Sequence, residues 1–257
     1  MSKTIIITGA SSGIGEALAK HLASLNHHVI ATGRNEVALE KLQNLYPENI
    51  KTVVADLMNS EDWIKIHDAI DPTASGIFLV HNAGIASPKL LSEISEEEWD
   101  AHYLTNTKAV VFLTQLLLPY LKNGGRVLNI STGLAHNTLP AMAAYGVSKA
   151  ATYMWKECCN AELNDQEIYF GSVMPGVVDT PIQRKLKLFD PKEFPAVEIF
   201  KGFSERDELL DPSTVAKFLS WLLFDVDSSQ FVVGDWNIND TSHHPYWAES
   251  NEIKLRK

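Results

Sequence analysis

The sequence predicts an α/β fold: one domain built on a doubly wound parallel sheet of about seven strands, with helices on both faces. Three observations lead there. Short, solidly apolar runs alternate with longer segments of helical period. The runs lack the alternation of a half-exposed sheet, as do strands buried on both faces. The length of 257 residues suits one such domain, and no linker, repeat or low-complexity tract divides it.

The elements follow in order. Ile5–Ile7 reads as the first strand, and Ala17, Leu18, His21, Leu22 and Leu25 then recur at helical spacing. Val29–Ala31 is a second strand and Val37–Leu45 a second amphipathic helix. Thr52–Ala55 and Ile77–Val80 are strands separated by the helical stretch Glu61–Ile70. One long helix is expected over Glu96–Leu121; Glu93 and Glu96–Glu98 stand at its start, where acids suit the helix dipole. Val127–Ile130 is a fifth strand, Ala144–Leu163 a long helix, and Ile168–Met174 a sixth strand. Thr214–Phe224 reads as a helix and Phe231–Val233 as the last strand. The tail 235–257 reads as polar with isolated aromatics.

Composition excludes several classes. Apolar residues make up 45% and charged residues 21%, ordinary globular usage and unlike a disordered chain. The formal charge of −10 argues against a nucleic-acid partner, whose binders carry basic faces. The greasiest stretch, 109–121, is interrupted by Thr114, Gln115 and Pro119 and is too short to span a bilayer. The N-terminus lacks a signal-peptide pattern. The only cysteines, Cys158 and Cys159, are adjacent and have no distant partner for a disulfide. A soluble, cytoplasmic protein is the expectation.

The turn after the first strand carries the first chemical signal. Gly9-Ala10-Ser11-Ser12-Gly13-Ile14-Gly15 opens the first helix. Glycines permit a tight turn and close approach to a ligand, and a helix N-terminus favours phosphate. At the first βα turn of a Rossmann-type pattern this indicates a dinucleotide. After the second strand, Gly33 stands where an acid would accept from a ribose 2′-hydroxyl, and Arg34 follows. An arginine pairs well with a 2′-phosphate, so NADP(H) is preferred, with NAD(H) possible.

Tyr145 and Lys149 form the second signal. Spaced i, i+4 at a helix start, they share one face. An ammonium nearby favours the phenolate, which makes the tyrosine a candidate general acid. Thr132 lies thirteen residues earlier, just after the fifth strand, at the strand end where open α/β sheets bind ligands.

Taken together, the chain resembles the short-chain dehydrogenase/reductase family over most of its length, from Thr4 to about Gly234. The resemblance rests on the T-G-x3-G-x-G turn, Asp56-Leu57, His81-Asn82-Ala83-Gly84, Asn106, Tyr145-x3-Lys149 and Pro175-Gly176-Val177-Val178-Asp179-Thr180, in the family's order. It implies that Tyr145 protonates a carbonyl oxygen as hydride arrives. Lys149 would bind the nicotinamide ribose and lower the tyrosine pKa, and Asn106 would hold a relay water. Asp56 would contact adenine, with Leu57 beside it. Asn82, with Ala83 and Gly84, would lie by the adenosine-side ribose. Pro175 and Gly176 would fix the nicotinamide face, with Val178 and Thr180 near its carboxamide. A homodimer or homotetramer is the family's usual assembly.

Two departures stand out. Thr132 occupies the family's serine position, with Ser131 one residue earlier; Thr132 is favoured for the role. His81 replaces the usual asparagine and is read as structural. Gly176–Gln183 followed by Leu209–Pro212 resembles the benzil reductase and sepiapterin reductase-like subgroup. That subgroup reduces carbonyls, often vicinal diketones, with NADPH. The resemblance thus implies an NADPH-dependent reductase of a small ketone or aldehyde, probed against two alternatives: a non-catalytic NADP(H) sensor and an NAD-dependent alcohol dehydrogenase. The segment 176–211, with Phe189, Phe194, Phe200 and Phe203, would cover the substrate, its aromatics either lining the pocket or sealing the flap. Leu134, His136 and Met142 are read as loop packing. His243 and His244, near Asp240 and Glu249, lack metal-site spacing, and no metal is expected.

Overall fold

The structure, a computed structural model, describes residues 2–248. Seven parallel strands form one sheet: β1 (Thr4–Ile7), β2 (His28–Gly33), β3 (Ile50–Val54), β4 (Phe78–His81), β5 (Gly125–Ile130), β6 (Ile168–Met174) and β7 (Trp236–Asn237). Their order is β3-β2-β1-β4-β5-β6-β7. The chain therefore winds outward on one side of β1, returns, and winds outward on the other. That reversal opens a crevice at the carboxyl ends of β1 and β4.

Strand side chains alternate between the two faces. Ile5 and Ile7, with Val29, Ala31, Phe78 and Val80, face a core closed by α1 (Gly13–Ser24), α2 (Glu36–Leu45) and α9 (Pro212–Phe224). Ile6, Ile30, Leu79, Val127 and Phe170 face the opposite core, closed by α3 (Ser60–Asp68), α5 (Ala109–Leu121) and α6 (Ala143–Leu163). Sandwiched strands have no polar face, which is why they read as unbroken apolar runs. No helix among the described residues is long and apolar enough to cross a membrane.

Three expectations need correction. The single helix over 96–121 is interrupted: α4 (Glu96–Tyr103) passes through a π turn at Leu104–Lys108 before α5. Buried polar side chains in that turn bond outward, Asn106 to Ile85 and Thr107 Oγ1 to the Ser148 carbonyl at 3.1 Å. These long-range bonds leave no trace in local periodicity. At the start of α4, Ser95 and Glu98 form a reciprocal capping box.

Of the expected last strand, Phe231–Val233, Phe231 instead ends a one-turn helix, α10 (Ser228–Phe231), and Val232 and Val233 follow it as a turn; the strand lies further on, at Trp236–Asn237. Phe231 is apolar because the tip of its ring packs on β6, where a Cβ at Gly171 would stand 2.6 Å from it. Arg126 covers the ring at 4.9 Å and donates to the last carbonyls of α9, Leu222 and Leu223. The tail is also not simply polar. Trp221, Trp236 and Trp247 pack with Phe218 around buried His243. His243 Nε2 lies 2.9 Å from the Asn237 carbonyl, and its Nδ1 accepts from Trp247 Nε1. Residues 249–257, with Glu249, lie outside the described residues. Other boundaries differ by only one to two residues, as element ends do.

The Gly171–Phe231 contact gives a direct stability test. Gly171→Val overpacks a closed face and should cost about 1–3 kcal/mol. Thermal unfolding should show a fall in Tm of several degrees, partly recovered by adding Phe231→Leu.

Candidate active site

The glycine turn and the loop after β4 are built against each other. Asn82 donates through Nδ2 to the Thr8 and Gly9 carbonyls at 2.9 and 3.1 Å. Thr8 Oγ1 accepts from the backbone N–H groups of Asn82 and Ala83, each at 3.1 Å. Gly9 has φ +68°, and a Cβ there would stand 2.8 Å from the Ala83 Cα. At Gly15 a Cβ would collide with Asn82 Nδ2. These two glycines are thus required by close packing. Ser12 is the N-cap residue of α1, and its side chain makes no capping bond. Ile14 anchors that helix in the core.

The end of β2 is shaped the same way. A Cβ at Gly33 would meet Ser11 Oγ at 2.9 Å, so the position cannot take an acidic side chain without moving Ser11. Arg34 is exposed and 4.0 Å from Asp56, a surface pair of little strength. Asp56 accepts from the Met58 N–H at 3.1 Å, while Leu57 is buried.

Tyr145 and Lys149 lie on the first turns of α6, above the end of β5. Lys149 is buried, its Nζ donating to the Ile130 carbonyl at 2.7 Å and standing 6.0 Å from the Tyr145 ring centre. Burial pushes its pKa down to about 8. Burial pushes the Tyr145 phenol up to about 12, opposed by a hydrogen bond with the Thr132 side chain. Thr132 Oγ1 also accepts from the Leu134 N–H at 3.3 Å. Ser131 Oγ is buried with no hydrogen-bond partner among the described residues. The two hydroxyls therefore part company, and it is Thr132 that meets Tyr145.

Asn106 sits in the π turn with its amide fully engaged. It accepts from Ile85 N–H at 2.9 Å and donates to the Ile85 carbonyl and to Ser148 Oγ, both at 3.0 Å. Ser148 in turn donates to the Tyr145 carbonyl at 2.7 Å. Both amide N–H groups are taken, so a water held by Asn106 would have to donate to its backbone carbonyl or to the second lone pair of Oδ1. Ser148 was not evident from sequence; its signal is its place between Tyr145 and Lys149 on the inward helix face.

Beyond β6, Pro175 is buried and Gly176 has φ +77°, closed in by Leu210 and Ile238. Val178 bridges to Leu210, and Thr180 caps α7 (Pro181–Leu186) while approaching Gly13. After α7 the chain forms α8 (Val197–Glu205). Phe189, Phe194, Phe200 and Phe203 make a continuous series of ring contacts. Phe194, fully buried, joins Ala86, Met142, Leu186 and Val197 in a small core against which Tyr145 and Leu134 pack. The 176–211 segment thus seals onto the body and also meets the tyrosine. His136 turns away, to Asp235 at 2.6 Å.

A glycine-lined βα turn at the sheet's reversal, facing a Tyr145–Lys149 pair, defines a dinucleotide-binding oxidoreductase. The short chain dehydrogenase profile matches residues 3–190, and the chain belongs to that family. It is 32% identical to a benzil reductase ((S)-benzoin forming) of Bacillus subtilis, over 85% of this chain and 92% of the relative. It is 31% identical to a 2,3-dihydro-2,3-dihydroxybenzoate dehydrogenase of the same organism, over 86% and 88%. A crystal structure of a short-chain dehydrogenase/reductase from Saccharomyces cerevisiae superposes with TM-score 0.89 at 28% identity, covering 96% of this chain and all of that one. Members of this family bind NAD(P) and act on small molecules.

The buried phenol makes a measurable claim. Tyrosinate absorbance lost in Tyr145→Phe should emerge only well above the ordinary tyrosine range, near pH 12. A difference titration with its midpoint near 10 would place the hydroxyl in solvent.

Proposed function

We propose that this chain is an NADP(H)-dependent reductase of ketone or aldehyde carbonyls on small apolar or dicarbonyl substrates. The observation that carries the reading is the Thr132–Tyr145 hydroxyl pair, set in an apolar wall with Lys149 beneath. The bound nicotinamide supplies the hydride. Thr132 and Tyr145 donate to the carbonyl oxygen, where such donors stabilise developing negative charge. Tyr145 then gives up its proton. Burial holds that proton on the phenol until an alkoxide, a far stronger base, forms beside it. Lys149 keeps N–H groups free of the Ile130 bond to hold the ribose hydroxyls.

The cofactor choice rests on the end of β2. A dinucleotide fits the cradle of Gly9, Ser11, Ser12, Gly13 and Gly15, at whose three glycines an added Cβ would collide or crowd. With Gly33 lacking an acid, Ser11 and Arg34 offer a hydroxyl and a guanidinium to a 2′-phosphate. Leaving Asp56 costs Arg34 little, because that pair is long and exposed. Leu57, Asn82, Ala83 and Gly84 line the adenosine side, and Pro175, Gly176, Val178 and Thr180 the nicotinamide side. The segment 176–211 closes over the substrate. The relative from Bacillus subtilis is a benzil reductase, and benzil is an apolar 1,2-diketone, in keeping with the apolar wall here. A cytoplasmic homodimer or homotetramer completes the reading.

Two measurements test it. NADPH oxidation with diketones, quinones and pterins should show turnover that Tyr145→Phe lowers by about 10²–10⁴-fold with NADPH affinity kept; substantial residual activity removes Tyr145 from the acid role. Arg34→Ala should weaken NADPH at least roughly tenfold while leaving NADH nearly unchanged, as loss of a hydrogen bond to a charged group does. Equal loss for both, or tighter NADH binding in the wild type, would return the cofactor choice to NAD(H). Tight NADPH binding without turnover on any carbonyl would leave a sensor.

A further inference from the structure

A polar layer crosses the sheet face toward α5 and α6 beside an apolar row. On the face toward α5 and α6, the row Leu79, Val127, Phe170 is apolar, as part of the core there. Two residues further along the same strands stand His81, Asn129 and Ser172, paired in register across β4, β5 and β6. By strand alternation they share that face. Asn129 and Ser172 are 5% and 1% exposed. Among the described residues, both amide atoms of Asn129 and the Ser172 hydroxyl lack a hydrogen-bond partner, as does Ser131 Oγ, two residues past Asn129.

His81 closes one side. Thr114 Oγ1 donates to the Val110 carbonyl at 2.7 Å, so at 2.8 Å it accepts from His81 Nε2–H. That fixes the tautomer and leaves Nδ1 as an acceptor. Lys149 closes the top, bonded to the carbonyl of Ile130, the residue between Asn129 and Ser131. Its charge acts on His81.

We propose that Asn129, Ser131 and Ser172 bind internal water beneath Lys149, with His81 Nδ1 as a further acceptor. Buried polar groups in native proteins are paired with protein or ordered water, and a buried water takes two to four polar partners. This layer offers an amide donor, an amide carbonyl, two hydroxyls, an imidazole acceptor and an ammonium. An apolar ligand would leave all of them unpaired. His81 also finds a use here: a short side chain at position 81 would not reach Thr114 in the same way.

The water would solvate the underside of the Lys149 ammonium and so support its charged form. Asn129 and Ser172 are then positioning residues that act through Lys149. The titratable groups facing Lys149 are Tyr145 on its own helix and His81 from β4. Burial lowers the ammonium pKa to about 8, and burial together with the Lys149 charge holds His81 neutral down to about 3. Making the layer apolar should lower the Lys149 value further, so the charged form is lost at lower pH.

The inference rests, for its catalytic part only, on the proposed role of Lys149, and two measurements separate them. A crystal structure of the wild-type protein should show ordered solvent within hydrogen-bond distance of the Asn129 amide and Ser172 Oγ. Direct pairing of these groups with each other or with protein atoms overturns the water site, whatever the enzyme turns over. In the Asn129→Leu/Ser172→Ala double variant, the basic limb of the pH–rate profile should move down by about one unit, roughly tenfold on the alkaline side. Asn129→Ser, which keeps a polar partner, should hold the wild-type limb. A uniform loss at all pH values, or an unmoved limb, overturns the link to Lys149. Should the double variant fail to fold, Ser172→Ala alone is read for the same direction of shift, and an unmoved limb there counts against the link.

Discussion

The close approach of two loops, the glycine turn after β1 and the Asn82–Gly84 loop after β4, is the constraint on which the upper face of the molecule depends. The sheet reverses between these strands, so their carboxyl ends must lie side by side with backbone polar groups exposed in a crevice. Asn82 satisfies two carbonyls of the turn, and Thr8 satisfies two amides of the neighbouring loop. Those bonds hold the two loops together across the crevice, and the Ser12 side chain at the α1 N-cap takes none of the helix's first amides. Any side chain at Gly9 or Gly15 would push the loops apart.

The same order extends to α6 through the π turn. Asn106 joins Ile85, three residues past Asn82, to Ser148, and Ser148 holds the Tyr145 carbonyl. The loop after β4 is thus tied to the glycine turn on one side and to the tyrosine helix on the other. A change at Asn106 would be felt at both, because its amide has no spare capacity to lose a partner unpunished.

Much of this was legible in the residues. The Tyr145–Lys149 spacing, the glycine turn and the absence of an acid at Gly33 each carry their meaning locally, through helix period or backbone freedom. What escaped was set by distant partners. The π turn exists because Asn106 and Thr107 bond to other elements. Phe231–Val233 has the composition of a strand but forms the end of a helical turn and the turn after it, because Phe231 fits the surface left bare by Gly171. The phenylalanines of the 176–211 segment could not be assigned to lining or sealing from sequence, because their packing is with distant residues: Phe194 shares a core with Met142, and Phe189, Phe200 and Tyr145 pack against that core. Sequence kinship also implied that Lys149 lowers the tyrosine pKa. Among the protein's own groups the largest influence on the phenol is burial, which pushes it up against the Thr132 hydrogen bond.

That balance bears on the charge of the whole chain. A net −10 repels a dinucleotide that is itself strongly anionic. Binding must therefore come from short-range, directional groups; in the reading proposed above these are helix amides at the glycine turn, the Arg34 fork and the Lys149 ammonium. Of these Lys149 is the most exacting, since it is buried and its charge is already weakened by desolvation. An ammonium in that position needs each of its three donors occupied. The Ile130 carbonyl takes one and a ribose would take another. The polar layer of His81, Asn129 and Ser172, one row beyond the apolar Leu79, Val127 and Phe170, is where we place the partner of the third.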